Sequence, residues 1–163
     1  MTTAAGTTRR TITLERIYQA PLEDVWEQWT TPAGLEGWWG PEGFTVKVHA
    51  LDLRAGGALT YAMTATAPEQ AAFMKRAGMP LTTEGRITYD EVAPQRRLAF
   101  THRADFIPGV EAYDVATVVE LSAVPEGTRV VLTTEVMHDE VWTQRAVQGW
   151  KSQLSRLAAV VAG

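Results

Sequence analysis

Few side chains in this sequence have the chemistry for acid–base catalysis. Of the three histidines, His102 is the one that strand alternation turns inward, because it continues the apolar face of Leu98 and Phe100. An inward histidine beside a carboxylate such as Glu135 could act as a general acid or base. A hydrogen-bonded histidine in the core or at a pocket rim explains the same pattern, so both interpretations remain open.

Other kinds of catalytic site have no matching pattern. The histidines at 49, 102 and 138 do not have the spacing of metal ligands, and the chain has no cysteine to supply a thiolate or a disulfide. No Gly-x-Ser-x-Gly elbow occurs, and the glycine pair at 56–57 is followed by neither a helix nor a lysine, as a phosphate-binding loop would require. We therefore expect no metal and no cofactor, we assign no catalytic residue, and an enzyme is the less favoured interpretation.

Length and charge also restrict the partners. The chain has 163 residues and a net charge of −4, which suits a single domain and gives no electrostatic reason to bind nucleic acid or an anionic membrane. No apolar run approaches the roughly 18 residues that span a bilayer, and the start of the chain does not resemble a signal peptide. We expect a cytoplasmic protein with a disordered tail at 1–8 and one domain at 9–163.

The elements that must position these residues follow an α+β order. Alternating apolar residues predict seven strands, at 9–20, 44–53, 59–63, 84–92, 97–103, 114–123 and 129–137. In the second strand, the alternation places Phe44, Val46, Val48 and Ala50 on one face. Two short helices are predicted after Pro21 and after the Thr31-Pro32 pair, with a brief one at 68–77.

A long helix from about residue 139 to 161 ends the chain. Its apolar residues form two neighbouring rows, one with Trp142, Ala146, Gly149 and Gln153, the other with Trp150, Leu154, Leu157 and Val161. Short connections make the strands antiparallel neighbours, and a twisted sheet of about seven strands must curl to cover one helix. Such curling leaves a space between the sheet and the helix, which is where a ligand is expected.

Four segments of the sequence carry a family resemblance. They are APLEDVWEQWTTPAGLEGWWGPEGF at 20–44, LDLRAGG at 51–57, GRITYDEVAPQRRLAFTH at 85–102 and GWKSQLSRL at 149–157. The chain resembles the START-like (SRPBCC) superfamily, and within it the bacterial homologues of the activator of the heat-shock-protein-90 ATPase. The resemblance implies a helix-grip fold, in which a curved antiparallel sheet wraps around a long C-terminal helix. It implies no single activity, since members bind or transform unrelated ligands.

The inserted helix is a departure from that family pattern. Many members have a short turn between the third and fourth strands, whereas residues 68–81 here predict a helix. Its flexible Met74 and Met79, together with Phe73, suit a lid over an apolar ligand. A satellite helix that seals the sheet edge is the alternative.

Trp38 and Trp39 are adjacent on irregular backbone and must point in different directions, so we expect one in the core and one in the pocket.

The leading hypothesis is a protein that binds a small hydrophobic or aromatic molecule in this cavity. The predicted ligand-binding residues are Trp39, Val48, Tyr61, Met63, Phe73, Met74, Phe100, His102, Tyr113 and Glu135. One alternative is a cyclase- or hydrolase-type enzyme that uses the same pocket, with His102 or Glu135 as acid or base. Another is a chaperone-associated interaction module, as the family name suggests. Exposed strands at both sheet edges and the six tryptophans are compatible with a homodimer.

Overall fold

The computed structural model describes residues 10–162 apart from 106 and 108, so the predicted tail at 1–8 lies outside the described residues. Seven strands form one antiparallel sheet in the order β1-β7-β6-β5-β4-β3-β2. The strands are β1 Thr11–Tyr18, β2 Phe44–Leu51, β3 Ala58–Ala65, β4 Thr82–Ala93, β5 Arg97–Ala104, β6 Tyr113–Val124 and β7 Gly127–Glu135. The helices are α1 Leu22–Thr30, α2 Pro32–Trp38, α3 Pro68–Arg76 and α4 Glu140–Ala162. The predicted α+β helix-grip fold is confirmed.

Helices α1 and α2 carry the chain from one edge of the sheet to the other, because β1 and β2 are the two edge strands. The predicted restart at Thr31 is present: its hydroxyl accepts the Gly34 N–H at 3.0 Å and caps α2. Proline at the first position of α2 suits the helix because its missing N–H would have no partner there. The two short helices thereby close one end of the curved sheet.

Helix α4 lies across the concave face of the sheet and is about 35 Å long at 1.5 Å per residue. Asp139 begins it by accepting the Trp142 N–H at 2.8 Å. Leu154 and Leu157 are fully buried in the main core, which the sheet supplies with alternate residues of its strands. Tyr18 joins the helix to β1, because its hydroxyl donates to the Leu154 carbonyl at 3.0 Å.

The prediction of which β2 side chains face inward is wrong at the C-terminal end of the strand. The register against β3 shifts between Val48 and Ala50, so His49 is an extra residue in the strand. A single extra residue reverses which side chains face the core. Ala50 is consequently exposed, and Leu51 instead packs against the core.

No helix in the described range 10–162 has both the length and the apolar character needed to cross a membrane. The same range contains no group of three or more histidine or acidic side chains that could hold a metal ion.

Candidate functional site

A cavity between the concave face of the sheet and α4 continues to outer-face residues of β4 and β5 such as Asp90 and Thr101, and its total volume is about 860 Å³. Its volume is within the range of pockets that enclose small organic molecules. Both helical and strand residues contribute its apolar wall, which consists of Trp39, Phe44, Tyr61, Met63, Met74, Met79, Ile87, Phe100, Val115, Met137, Trp142, Ala146 and Trp150. Of the two predicted rows on α4, the row of Trp142, Ala146, Gly149 and Gln153 lines this cavity. The other row packs mainly into the core.

Seven of the ten predicted ligand-binding residues line the cavity. They are Trp39, Tyr61, Met63, Met74, Phe100, His102 and Glu135. Trp38 is fully buried in the core while Trp39 faces the cavity, so the adjacent tryptophans divide as expected.

The other three predicted residues, Val48, Phe73 and Tyr113, lie outside the cavity wall. Val48 stands just before the β2 bulge and packs against the core at the sheet edge, where Glu36 of α2 accepts its N–H at 2.8 Å. Phe73 is 40% exposed, whereas the next residue, Met74, is the buried side chain of α3. The Tyr113 side chain turns to the start of α4, where its hydroxyl lies 2.8 Å from His138 Nδ1.

Aromatic rings form the wall at the end of the cavity that α1 and α2 close. The ring of Trp39 meets those of Trp150 and Phe100 edge-on, with centroids 5.6 and 6.2 Å apart. Behind it, Trp29 and Trp38 pack at 4.5 Å. Edge-to-face pairs of this kind add specific stabilisation to the area that they bury. We call this part of the cavity the closed end.

Three α4 side chains hold the chain segment 40–44 that follows α2. The Gln153 Oε1 accepts the Gly40 N–H at 2.5 Å, and Ser152 Oγ accepts the Glu42 N–H at 2.8 Å. The Arg156 guanidinium donates to the Gly40 carbonyl at 2.6 Å and lies within hydrogen-bond distance of two further carbonyls of that segment. These bonds tie the closed end of the cavity to the helix.

Tyr61 lies across Gly85, its direct partner on β4. A methyl group at Gly85 would collide with the Tyr61 ring, so only glycine leaves room for that orientation. Burial raises the pKa of Tyr61, and the neighbouring Trp39 indole opposes this shift only in part. The phenol is therefore protonated at neutral pH.

Gly85→Ala is expected to destabilise the protein by about 1–3 kcal/mol, the usual cost of forcing extra atoms into a packed site. The same substitution in a Tyr61→Ala background should cost less than about 0.5 kcal/mol, because the obstructing ring is gone. Urea unfolding of the four proteins of this cycle measures the difference. Gly149→Ala is the matched control and should be neutral or stabilising, since no atom lies within 4 Å of its added methyl. If Gly85→Ala lowers stability equally with and without the Tyr61 ring, that ring is not what excludes a larger residue at position 85.

The cavity opens where two neighbouring strands separate. The β4–β5 ladder begins at the pair Ile87–His102, so residues 82–86 of β4 pair with β3 alone. Exposed charged side chains from both sides of this separation border the cavity, namely Glu84, Arg86, Arg103, Asp105 and Asp114. We call this opening the mouth.

Helix α3 covers a second side of the cavity with Met74 and Met79. The Arg145 guanidinium connects it to α4, with its carbon 4.8 Å from the Trp142 ring centre and 6.0 Å from that of Phe73. A hydrogen bond between Ala65 and Leu81 closes the base of the inserted segment. The two methionines lie on the cavity side of this segment, where the lid interpretation expects them, and a lid role for α3 stays a prediction.

The two candidate acid–base residues occupy different environments. Burial lowers the pKa of His102, and the charges of Asp114 and Asp105 oppose that shift only in part. The imidazole is therefore neutral at neutral pH, and no hydrogen bond joins it to another residue that the structure describes. No hydrogen bond joins Glu135 to His102 among the described residues, and the Glu135 Oε1 instead accepts the Ala116 N–H at 2.9 Å where the β6–β7 ladder ends.

His102 should make stability depend on pH. Its pKa is lower in the folded than in the unfolded state, so its stabilising effect is complete above about pH 6.5 and declines as the pH falls through the folded value. We expect the free energy of unfolding to fall more steeply between pH 7 and pH 5 in the wild type than in His102→Gln. Urea unfolding at several pH values measures both slopes, and parallel curves would contradict the prediction.

Sequence reasoning missed several residues of the site. Gly85 and Arg145 line the cavity and were not among the predicted residues. The glycine opposite a tyrosine on the neighbouring strand was a usable signal once the strands were paired. Gln153 was placed on the correct helix row, but its bond to Gly40 joins residues 113 positions apart. No local pattern can reveal such a contact.

A curved antiparallel sheet that grips a C-terminal helix around a cavity defines the START-like helix-grip class of proteins. Within this class, the chain belongs to the family described as activator of Hsp90 ATPase homolog 1-like protein, whose profile matches residues 19–162. A search of the curated proteins found no match.

Solved bacterial structures show the same architecture. A protein from Chromobacterium violaceum is 28% identical, with 94% of this chain and 99% of that one covered and a TM-score of 0.76. The AHSA1 protein from Silicibacter pomeroyi is 23% identical over 94% of this chain and 98% of its own, with a TM-score of 0.71. A protein from Nitrosomonas europaea is 22% identical over 93% and 94%, with a TM-score of 0.69. The latter two likenesses support the fold alone.

Proposed function

We propose that this protein binds a small, mostly apolar molecule in the cavity between its sheet and α4. One observation carries the proposal: a cavity with a total volume of about 860 Å³ has a wall of mainly aromatic, methionine and aliphatic side chains where it lies between the sheet and α4. Interiors normally pack to the density of organic crystals, so a large apolar cavity is unusual unless it receives a ligand. Proteins with this fold commonly bind hydrophobic ligands.

The structural details support a binding role. Open volume beside Gly149 gives a ligand room against the helix, and the flexible Met74 and Met79 can adapt to its shape. Apolar contact would supply most of the affinity, because burial contributes about 25 cal/mol per Å² removed from water. Polar groups of the wall would orient the ligand.

Thermal unfolding tests the proposal. A ligand that binds only the folded state stabilises it by about 2.7 kcal/mol at a concentration of 100 times its dissociation constant. We expect the melting temperature to rise with decan-2-one or decanoate and an apolar dye to fluoresce on binding. Mass spectrometry of the small molecules that co-purify with the protein would identify a natural ligand. The absence of any shift, of dye binding and of co-purified molecules would overturn the proposal.

An enzyme that uses the same cavity is the second candidate, and the neutral His102 favours it. An imidazole that is unprotonated at neutral pH can accept a proton from a bound molecule. Against this role, no carboxylate orients the ring through a hydrogen bond in the described part of the chain, and Glu135 is already bound to backbone. Turnover of a bound molecule that is lost in His102→Gln would favour the enzyme.

A chaperone-associated module is the third candidate, and only the family description favours it. Such a module would bind its partner through the outer surface. Its binding should therefore be unaffected by a substitution that fills the cavity. The expected homodimer remains a prediction, which light scattering at micromolar concentration would test.

A further inference from the structure

At the closed end of the cavity, existing contacts determine which groups are left to donate hydrogen bonds to a ligand. Gln153 is the first of these groups. This side chain is 91% buried and its Oε1 accepts the Gly40 N–H at 2.5 Å. A backbone N–H can only donate, so the oxygen of the amide must face Gly40 and the nitrogen must point away from it. No hydrogen bond joins Nε2 to another residue in the described part of the chain. Gln153 therefore presents free N–H donors at the cavity wall.

Tyr61 supplies a second donor. Its ring meets that of Trp39 edge-on, with centroids 6.2 Å apart, and no hydrogen bond joins its hydroxyl to another residue in the described part of the chain. The phenolic hydrogen is then left to donate. Because burial favours the protonated phenol, this donor persists at neutral pH.

Arg156 adds a positive charge behind these donors. Its guanidinium is bound to backbone carbonyls of the segment 40–44, and no ion pair joins it to a carboxylate within the described residues. Its charge is therefore not cancelled by a neighbouring side chain. An electron-rich oxygen at the closed end would be stabilised by this field, whereas a cationic group would be repelled.

We propose that the closed end binds a hydrogen-bond-accepting oxygen of the ligand, either a carbonyl or a carboxylate. This proposal rests on the proposed function, because it names the chemical class of the molecule that occupies the same cavity. Gln153 and Tyr61 donate to the oxygen while the apolar wall surrounds the remainder of the molecule. A protonated amine at that position has no lone pair to accept from the Gln153 N–H groups, and a site built in this way discriminates strongly against it.

Calorimetric titration of three ligands with the same chain length tests the polarity. We expect decan-2-one and decanoate to bind the wild-type protein at least about tenfold more tightly than decylamine. Equal affinities, or tighter binding of the amine, would overturn the assignment of an acceptor while leaving the proposed binding function intact. If none of the three binds and no other apolar probe binds, the proposed function itself fails, and this proposal fails with it.

A single substitution on α4 reverses the predicted polarity. Gln153→Glu keeps an oxygen to accept the Gly40 N–H and replaces the free donor with a second acceptor. We expect it to weaken binding of decan-2-one and decanoate at least about tenfold and to strengthen binding of decylamine. Gln148→Glu makes the same chemical change on the exposed side of the helix and should keep the wild-type order of affinities for the three ligands. If Gln153→Glu keeps the wild-type order of affinities for the three ligands, the proposal is overturned. If this variant does not fold, the titration of the wild-type protein decides the proposal.

Discussion

Replacing Gly149 with phenylalanine is expected to abolish ligand binding and leave the fold intact. A side chain at this position enters open space, since no atom lies within 4 Å of the added Cβ, and the residue lines the cavity. The ring therefore occupies the volume that the ligand needs. Phenylalanine is also a better helix former than glycine, by a few tenths of a kcal/mol, so α4 should not be weakened.

The same ligands titrated into the variant measure the effect, which we expect to exceed a tenfold loss of affinity. Gln148→Phe is the matched control, because it adds the same ring to an exposed neighbouring position. It should bind as the wild type does. Wild-type affinity in Gly149→Phe would show that ligands occupy another site.

Leu154→Ala is expected to lower the free energy of unfolding by about 2–5 kcal/mol. Leu154 is 1% exposed and packs in the main core between α4 and the sheet, so its truncation leaves a void that the surroundings cannot fill. Urea or thermal unfolding measures the loss. Leu81→Ala removes the same atoms from a side chain that is 37% exposed and should cost less than about 0.5 kcal/mol. A similar loss for both variants would mean that burial of α4 is not what stabilises the fold.

The fold was predictable because its signals are local. Strand alternation, glycine and proline turns and the two rows of α4 each depend on residues within one element. The β2 bulge was not predictable in this way, since the extra residue at His49 is recognised only against the register of β3. If the alternation of side chains is continued past the bulge, it places Ala50 on the wrong face of the strand.

The site was predictable only where alternation alone decides which way a side chain points. Tyr61, Phe100 and His102 line the cavity as their strands predict. Tyr113 does not, because the first residue of a strand can turn toward the neighbouring loop, where its hydroxyl meets His138. The mouth depends on where two strands part, and no single strand carries that information.

Because the two ends of the cavity differ, binding would be selective for the length of the ligand. Gln153 and Arg156 hold the closed end to α4, so a ligand anchored there would extend toward the gap between β4 and β5. Each added methylene gains about 0.8 kcal/mol while it remains inside apolar surroundings. Beyond the mouth it enters water between exposed charged side chains and gains little. Affinity across a series of alkyl chains should therefore rise steadily and then level off at the length that reaches the mouth.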